Sequence, residues 1–96
     1  MTPKNKIKLN ILRKKLDKLD NTLLDIIRKR SNLVKEVLNL KQYKKEIIDK
    51  QRIDFILKKI QKKSKIKRID PIITKRIWKN MIWSFIDFEK RNFKKK

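Results

Sequence analysis

The hydrophobic positions of the first forty residues follow a helical seam, because apolar residues recur there at alternating steps of three and four. These positions are Leu9, Leu12, Leu16, Leu19, Leu23, Ile26, Leu33, Val37 and Leu40. Such spacing is typical of a helix that packs lengthwise against another helix. Charges of both signs, such as Lys14 and Asp17, lie between them and form a solvated face. We predict a first helix from about residue 7 to about residue 42.

Two shorter amphipathic segments follow, after a connection over residues 43–48. We predict that Asp49 is the N-cap of a second helix that ends near Ser64. Asp70 precedes Pro71, and a carboxylate cap before a proline at the first helical position predicts a third helix, which runs to about Phe93. Its inward positions are predicted to be Ile77, Trp78, Met81, Ile82, Phe85 and Phe88. No segment has the pattern of a strand, so the predicted fold is all-α with three helices, the first very long.

The length of the first helix bears on assembly. About 35 residues at ~1.5 Å each form a rod of roughly 50 Å. A compact monomer of 96 residues has a radius of gyration of only about 13 Å. One chain cannot bury the apolar stripe of such a rod, and we therefore predict a homodimer. We expect one domain over residues 1–96, with residues 1–6 and 94–96 as frayed tails.

Composition narrows the chemistry further. The chain has 31 Lys and Arg against 10 Asp and Glu, a formal net charge of +21, and no Cys, His or Gly. The missing Cys and His exclude zinc fingers, disulfides and Ser-His or Cys-His catalytic pairs, and the missing Gly excludes Gly-rich phosphate loops. We predict no metal site, no cofactor and no membrane span. The first ten residues contain no apolar stretch of secretory-signal length, so the expected location is the cytoplasm.

Three charged residues stand where the pattern calls for apolar ones. Arg30 occupies the seam position between Ile26 and Leu33, and a charge in a core is costly unless it is paired. Lys41 lies eleven residues further along nearly the same helical face, and Glu89 lies on the apolar stripe of the third helix. These side chains could bind an anionic ligand. The alternatives are structural: Arg30 extends to the edge of the core or pairs with a core carboxylate, Glu89 is the partner of a buried arginine, and Lys41 complements the helix dipole.

The ordered set of motifs resembles the AroQ-type chorismate mutases over residues 9–93. The run LRKKLDKLDNTLLDIIRKRSNLVKEVLNLK (residues 12–41) is similar to the first helix of that family. The D-x-x-R of residues 49–52 resembles the start of its second helix, and IWKNMIWSFIDFEK (residues 77–90) resembles its third. The resemblance implies an intertwined helical homodimer with two active sites built from both chains. It also implies an isomerase that converts chorismate to prephenate in the shikimate pathway, toward Phe and Tyr.

The resemblance also implies the site residues. The positions that would bind the substrate, a small dicarboxylate, are Arg13, Arg30, Lys41, Asp49, Arg52 and Glu89, of which Lys41, Glu89 and Arg30 would be catalytic. Arg13 lies about 26 Å from Arg30 along one helix, too far to touch the same small ligand, so it would come from the partner subunit. The rearrangement is pericyclic and needs neither a nucleophile nor a cofactor, which fits the composition.

Two positions depart from the family's pattern and leave other activities open. Ile53 stands where the family often has Glu, and Phe85 stands where a small polar residue is common. Isochorismate-pyruvate lyases of the same fold, which form salicylate, tend to carry aliphatic and aromatic residues there, so that activity is an alternative. A second alternative is a basic nucleic-acid-binding helical protein, suggested by the net charge of +21 and the Lys/Arg cluster of residues 58–68. Nucleic acid is the less expected partner, because the charges lie on every face and no aromatic residue interleaves the cluster.

Overall fold

The computed structural model describes residues 1–94 and is built from three α-helices. They are α1 (Pro3–Leu40), α2 (Lys50–Ile66) and α3 (Pro71–Asn92), with a short 3-10 helix over Lys44–Glu46 between the first two. The described part of the chain contains no strand. The prediction of an all-α fold with a very long first helix is confirmed.

Helix α1 begins four residues earlier than the seam predicts, so residues 3–6 are helical and not a frayed tail. The Thr2 hydroxyl accepts a hydrogen bond from the Asn5 backbone N–H at 3.2 Å, and Pro3 occupies the first helical position. A hydroxyl cap followed by proline is a local start signal of the same kind as Asp70 and Pro71. The predicted tail at the other terminus includes Lys95 and Lys96, which lie outside the described residues.

Two compact units make up the chain: residues 1–33 and residues 34–96. Unit 1 is helical from Pro3 onward and has no second element of its own to cover its apolar stripe. Its seam side chains are accordingly exposed; Leu16 is 57 % and Leu19 is 65 % exposed. A stripe of this kind on an isolated helix is unstable in water unless another surface covers it.

Unit 2 contains the hydrophobic core. Its buried apolar side chains are Leu38, Ile47, Ile82 and Ile86, and Ile48, Ile53, Ile56, Leu57 and Phe93 pack against them. On α3 the buried face therefore follows residues 82, 86 and 89, at helical spacing. Ile77, predicted to face inward, is 52 % exposed, and Ile86, which was not among the predicted positions, is buried. The other five predicted positions are buried or half-buried, so the inward face of α3 is confirmed apart from a shift toward Ile86 and away from Ile77.

Helices α2 and α3 pack against each other and are joined by a short turn. The Ile69 N–H donates to the Ser64 carbonyl at 2.9 Å and the Arg68 N–H donates to the Lys65 carbonyl at 3.2 Å. This is a Schellman motif, and it places Arg68 at a φ of 58°, where glycine is favoured but this chain has none. The motif ends α2 at Ile66, two residues beyond the predicted end.

A buried pair of hydroxyl groups also joins α2 to α3. The oxygens of Ser64 and Thr74 lie 2.7 Å apart, and Ser64 also donates to the Ile60 carbonyl at 2.6 Å. Asp70 caps α3, because its carboxylate accepts from the Ile72 N–H at 2.9 Å, as predicted.

None of the helices within residues 1–94 has the length and hydropathy needed to cross a bilayer.

Candidate active site

An ion pair between Lys41 and Glu89 is the central feature of the candidate site. The Lys41 ammonium donates to Oε1 of Glu89 at a distance of 3.0 Å. Their side chains are 18 % and 7 % exposed. Both residues were singled out from the sequence as charges at apolar positions, and the structure brings them together across 48 residues of chain.

The two residues lie near opposite ends of the sequence of unit 2. Glu89 lies near the end of α3 on the same face as the buried Ile82 and Ile86, so its carboxylate has little access to water. Lys41 directly follows α1, and its N–H donates to the carbonyl of the buried Leu38 at 3.1 Å. A carboxylate in such surroundings is costly unless a cation pairs with it, and Lys41 supplies that cation.

Glu46 organises the segment that follows Lys41. Its Oε2 accepts hydrogen bonds from the N–H of Gln42 at 2.9 Å and from the N–H of Tyr43 at 3.3 Å. Ile47, the next residue, is only 3 % exposed and belongs to the core. The sequence prediction treats residues 43–48 as a plain connection and misses this carboxylate. The available signal is a glutamate three residues after Tyr43, in the reach-back position of a helix start.

Asp49 and Arg52 meet at the start of α2. One carboxylate oxygen of Asp49 accepts from the backbone N–H of Arg52 at 3.0 Å, so the predicted N-cap is present. The Arg52 guanidinium lies over the ring of Phe55, 5.4 Å from its centroid. This cation–π contact is the interaction that holds a cation in the first turn of the helix, where the dipole alone disfavours it.

Arg13 and Arg30 belong to unit 1, where Arg13 is exposed and Arg30 is half-buried. The described residues contain no group of three or more His, Cys, Asp or Glu side chains that could hold a metal ion.

Comparison with protein-family models shows which family the chain belongs to. The family model for chorismate mutase type II matches residues 12–90, which include all six predicted site positions. The chain belongs to this family. None of the curated proteins and none of the solved structures matches it significantly. Membership supports an isomerase with chorismate mutase activity, for which chorismate is the substrate, over the nucleic-acid-binding alternative.

The two positions that depart from the usual chorismate mutase pattern both belong to unit 2. Ile53 is half-buried and packs against the core, and Phe85 is half-buried four residues before Glu89 on α3. Residues i and i+4 of a helix are neighbours on one face, so Phe85 flanks the glutamate. An apolar group at Phe85 makes the surroundings of the Glu89 carboxylate less polar than a small hydroxyl side chain would.

We expect the Lys41–Glu89 pair to behave as a buried ion pair in unfolding experiments. Lys41→Met should lower the free energy of unfolding by about 3 kcal/mol, because it leaves a buried carboxylate without a cation. Adding Glu89→Met should restore most of that loss, since an apolar pair of similar volume needs no counter-charge. Urea denaturation at one protein concentration measures both effects.

The matched control is Arg28→Met. Arg28 lies 3.6 Å from Asp25, but both side chains are about 70 % exposed, so this change should alter stability by less than about 0.5 kcal/mol. Equal losses for Lys41→Met and Arg28→Met, or no recovery in the double variant, would contradict a buried pair.

Proposed function

We propose that this protein is a cytoplasmic chorismate mutase that rearranges chorismate to prephenate, a step toward Phe and Tyr. The observation that carries the proposal is the ammonium of Lys41, held 3.0 Å from a nearly buried glutamate in a chain of this family. An ammonium group has three hydrogen-bond donors, and Glu89 accepts from one. The remaining donors are free to serve an oxygen atom of the substrate.

The reaction requires from the protein a binding site of suitable shape and charge. Chorismate carries two carboxylates and an ether oxygen, and negative charge develops on that oxygen as its bond to carbon breaks. An enzyme accelerates the step by holding the compact diaxial conformer and by stabilising the developing charge. Lys41 is the proposed donor to the ether oxygen, in surroundings where partial exclusion of water strengthens the interaction.

Glu89 has two roles that depend on its proton. As a carboxylate it accepts from Lys41 and keeps the ammonium in place. As a carboxylic acid it gains an O–H donor of its own, which then also reaches the ether oxygen. Donation by Glu89 is therefore proposed for the protonated enzyme only.

Arginine side chains are the proposed partners of the substrate carboxylates. Arg30 and the partner subunit's Arg13 would each bind a carboxylate through two parallel N–H donors, a geometry that lysine does not offer. Arg52 would support the end of the ligand nearest Lys41, and Asp49 holds the start of α2 through its cap. Removing one such charge-stabilising donor typically costs about 3–4 kcal/mol of transition-state stabilisation.

The shared site requires a homodimer, with residues 1–96 acting as one domain in each subunit. The exposed apolar stripe of unit 1 supports this assembly, because a second copy would bury it. Dimerisation and catalysis are therefore proposed to depend on the same surface of α1.

Isochorismate-pyruvate lyase is the second candidate. Ile53 and Phe85 favour it, because lyases of this fold tend to carry aliphatic and aromatic residues at these positions, and both side chains are half-buried here. A lyase on this fold would use the same cations to bind a dicarboxylate but would release pyruvate and form salicylate. The two activities are separable with the purified protein.

We expect the wild type to consume chorismate, seen as a loss of its ultraviolet absorbance, and to form no fluorescent salicylate from isochorismate. Arg30→Ala should lower kcat/KM by about 10²–10³, the cost of losing one charge-stabilising donor. Arg28→Ala is the control on the same helix and should retain activity, because Arg28 is exposed and pairs with the exposed Asp25. Salicylate formation would assign the lyase instead, and full activity of Arg30→Ala would refute the assigned site.

We expect Arg13→Ala and Arg30→Ala to complement each other. Each variant alone lacks one arginine in both of its sites, whereas a hybrid dimer has one site with both arginines intact. After full subunit exchange the mixture should recover about a quarter of the wild-type activity. Energy transfer between labelled subunits verifies the exchange, and exchange without recovered activity would contradict a site built from two chains.

We expect the rate of the wild type to decline as the pH rises, because ionised Glu89 cannot donate to the ether oxygen. Glu89→Gln should flatten the profile of kcat against pH, since an amide donates at every pH. Glu36→Gln, a change at an exposed glutamate of α1, should keep the wild-type profile. A wild-type rate that is independent of pH, together with an inactive Glu89→Gln, would count against donation by Glu89.

A further inference from the structure

Two of the three glutamates in this chain converge on the residues that follow α1. Glu89 accepts from the ammonium of Lys41, and Glu46 accepts from the backbone N–H groups of the next two residues, Gln42 and Tyr43. All of these residues belong to unit 2. The proposed catalytic lysine is therefore fixed at its ammonium by one carboxylate, and the backbone beyond it is fixed by another.

We propose that Glu46 is a positioning residue of the active site, which sets the direction of Lys41 without touching the substrate. This inference rests on the proposed function, in which Lys41 donates to the ether oxygen. Glu46 lies outside the three segments that resemble the family's helices, residues 12–41, 49–52 and 77–90. Glu46 acts through the backbone of residues 42 and 43, so its effect on the reaction passes through Lys41.

The need for such a residue follows from the place of Lys41 in the fold. Helix α1 ends at Leu40, so the helical ladder does not hold the chain after Lys41. A lysine side chain has four rotatable bonds, and its reach depends on the direction in which the backbone delivers it. A displacement of about 1 Å at a reacting group costs up to 10²-fold in rate.

In the segment between Lys41 and α2, both the backbone and the side chain of Glu46 form hydrogen bonds with Tyr43. The Glu46 N–H donates to the Tyr43 carbonyl at 3.0 Å, while its side chain accepts from the Tyr43 N–H at 3.3 Å. The segment is anchored on both sides by core residues, Leu38 at 7 % and Ile47 at 3 % exposure. Without the carboxylate, two backbone N–H groups lose their side-chain acceptor and the link between these anchors loosens.

The chemistry of Glu46 makes the inference testable by graded substitution. A carboxylate is an acceptor only and accepts from N–H groups more strongly than a neutral group does. Glutamine keeps the shape and one acceptor oxygen, whereas alanine keeps neither. Glu46→Gln should therefore retain more of the positioning effect than Glu46→Ala does.

Kinetics test whether Glu46 acts through Lys41. We expect Glu46→Ala to lower kcat about tenfold with little change in KM, Glu46→Gln to recover most of that loss, and Glu36→Ala to have no effect. In a Lys41→Gln background, Glu46→Ala should lower kcat no further. Equal effects of Glu46→Ala in both backgrounds would overturn the proposal, because they would show a contribution independent of Lys41.

Carbon-13 NMR tests the same inference without any substrate. Glutamate labelled at Cδ gives three carboxylate signals in this chain, which single Glu→Gln variants assign. We expect Glu46→Ala to move the Glu89 signal toward its position in Lys41→Gln, and Glu36→Ala to leave it unchanged. Glu46→Leu, which also lacks an acceptor oxygen, serves the same purpose if Glu46→Ala does not fold.

The two measurements separate this inference from the proposed function. A Glu89 signal that is unchanged in Glu46→Ala and in Glu46→Leu overturns the positioning role, whatever the activity. A wild type that converts neither chorismate nor isochorismate overturns the proposed function, while a shifted Glu89 signal would still support the mechanical coupling from Glu46 to the ion pair.

Discussion

A carboxylate that has lost its access to water needs a cation, and this constraint organises unit 2. Glu89 is nearly buried on α3, and Lys41 meets it from the end of α1 at 3.0 Å. The ion pair thus joins the first and last helices of unit 2 at the point where the chain turns toward α2. Because the same ammonium is the proposed donor to the substrate, stability and function depend on one contact.

The remaining chemistry of the chain is that of fixed charge. A protein without Cys, His or Gly has no thiolate, imidazole or glycine-rich phosphate loop to offer. It is rich in cations, and a net charge of +21 favours the approach of a dianionic ligand. A pericyclic rearrangement suits this inventory, since it is accelerated by orientation and by stabilisation of developing charge. The composition is therefore compatible with the chorismate mutase activity that family membership supports.

The division of the chain into two units has a physical origin. Residues 34–96 bury a small core around Ile47 and Ile82, whereas residues 1–33 carry an apolar stripe on a single helix. A helix of this kind owes its stability to packing more than to propensity. The proposed second subunit would supply that packing and, with it, the missing arginine of each site.

The sequence alone determined the features that depend on neighbours within about four residues. The sequence alone predicted the caps at Asp49 and Asp70 and the apolar seam of α1. The cap at Thr2 is also a local signal, but the apolar pattern led to a predicted helix start four residues too late. The chemical character of Glu89 as a charge on an apolar stripe was also readable. Its spacing to Ile82 and Phe85 is a property of one helix.

Only the tertiary structure decided which partner each group meets. The pairing of Lys41 with Glu89 joins residues 48 apart, and it depends on the path of two connections whose geometry no periodicity encodes. The same holds for the shift of the buried face of α3 toward Ile86 and away from Ile77. The contacts of Glu46, by contrast, are with residues three and four positions earlier and belong to the local features. Local patterns specify which faces are apolar, but packing in three dimensions specifies which faces touch.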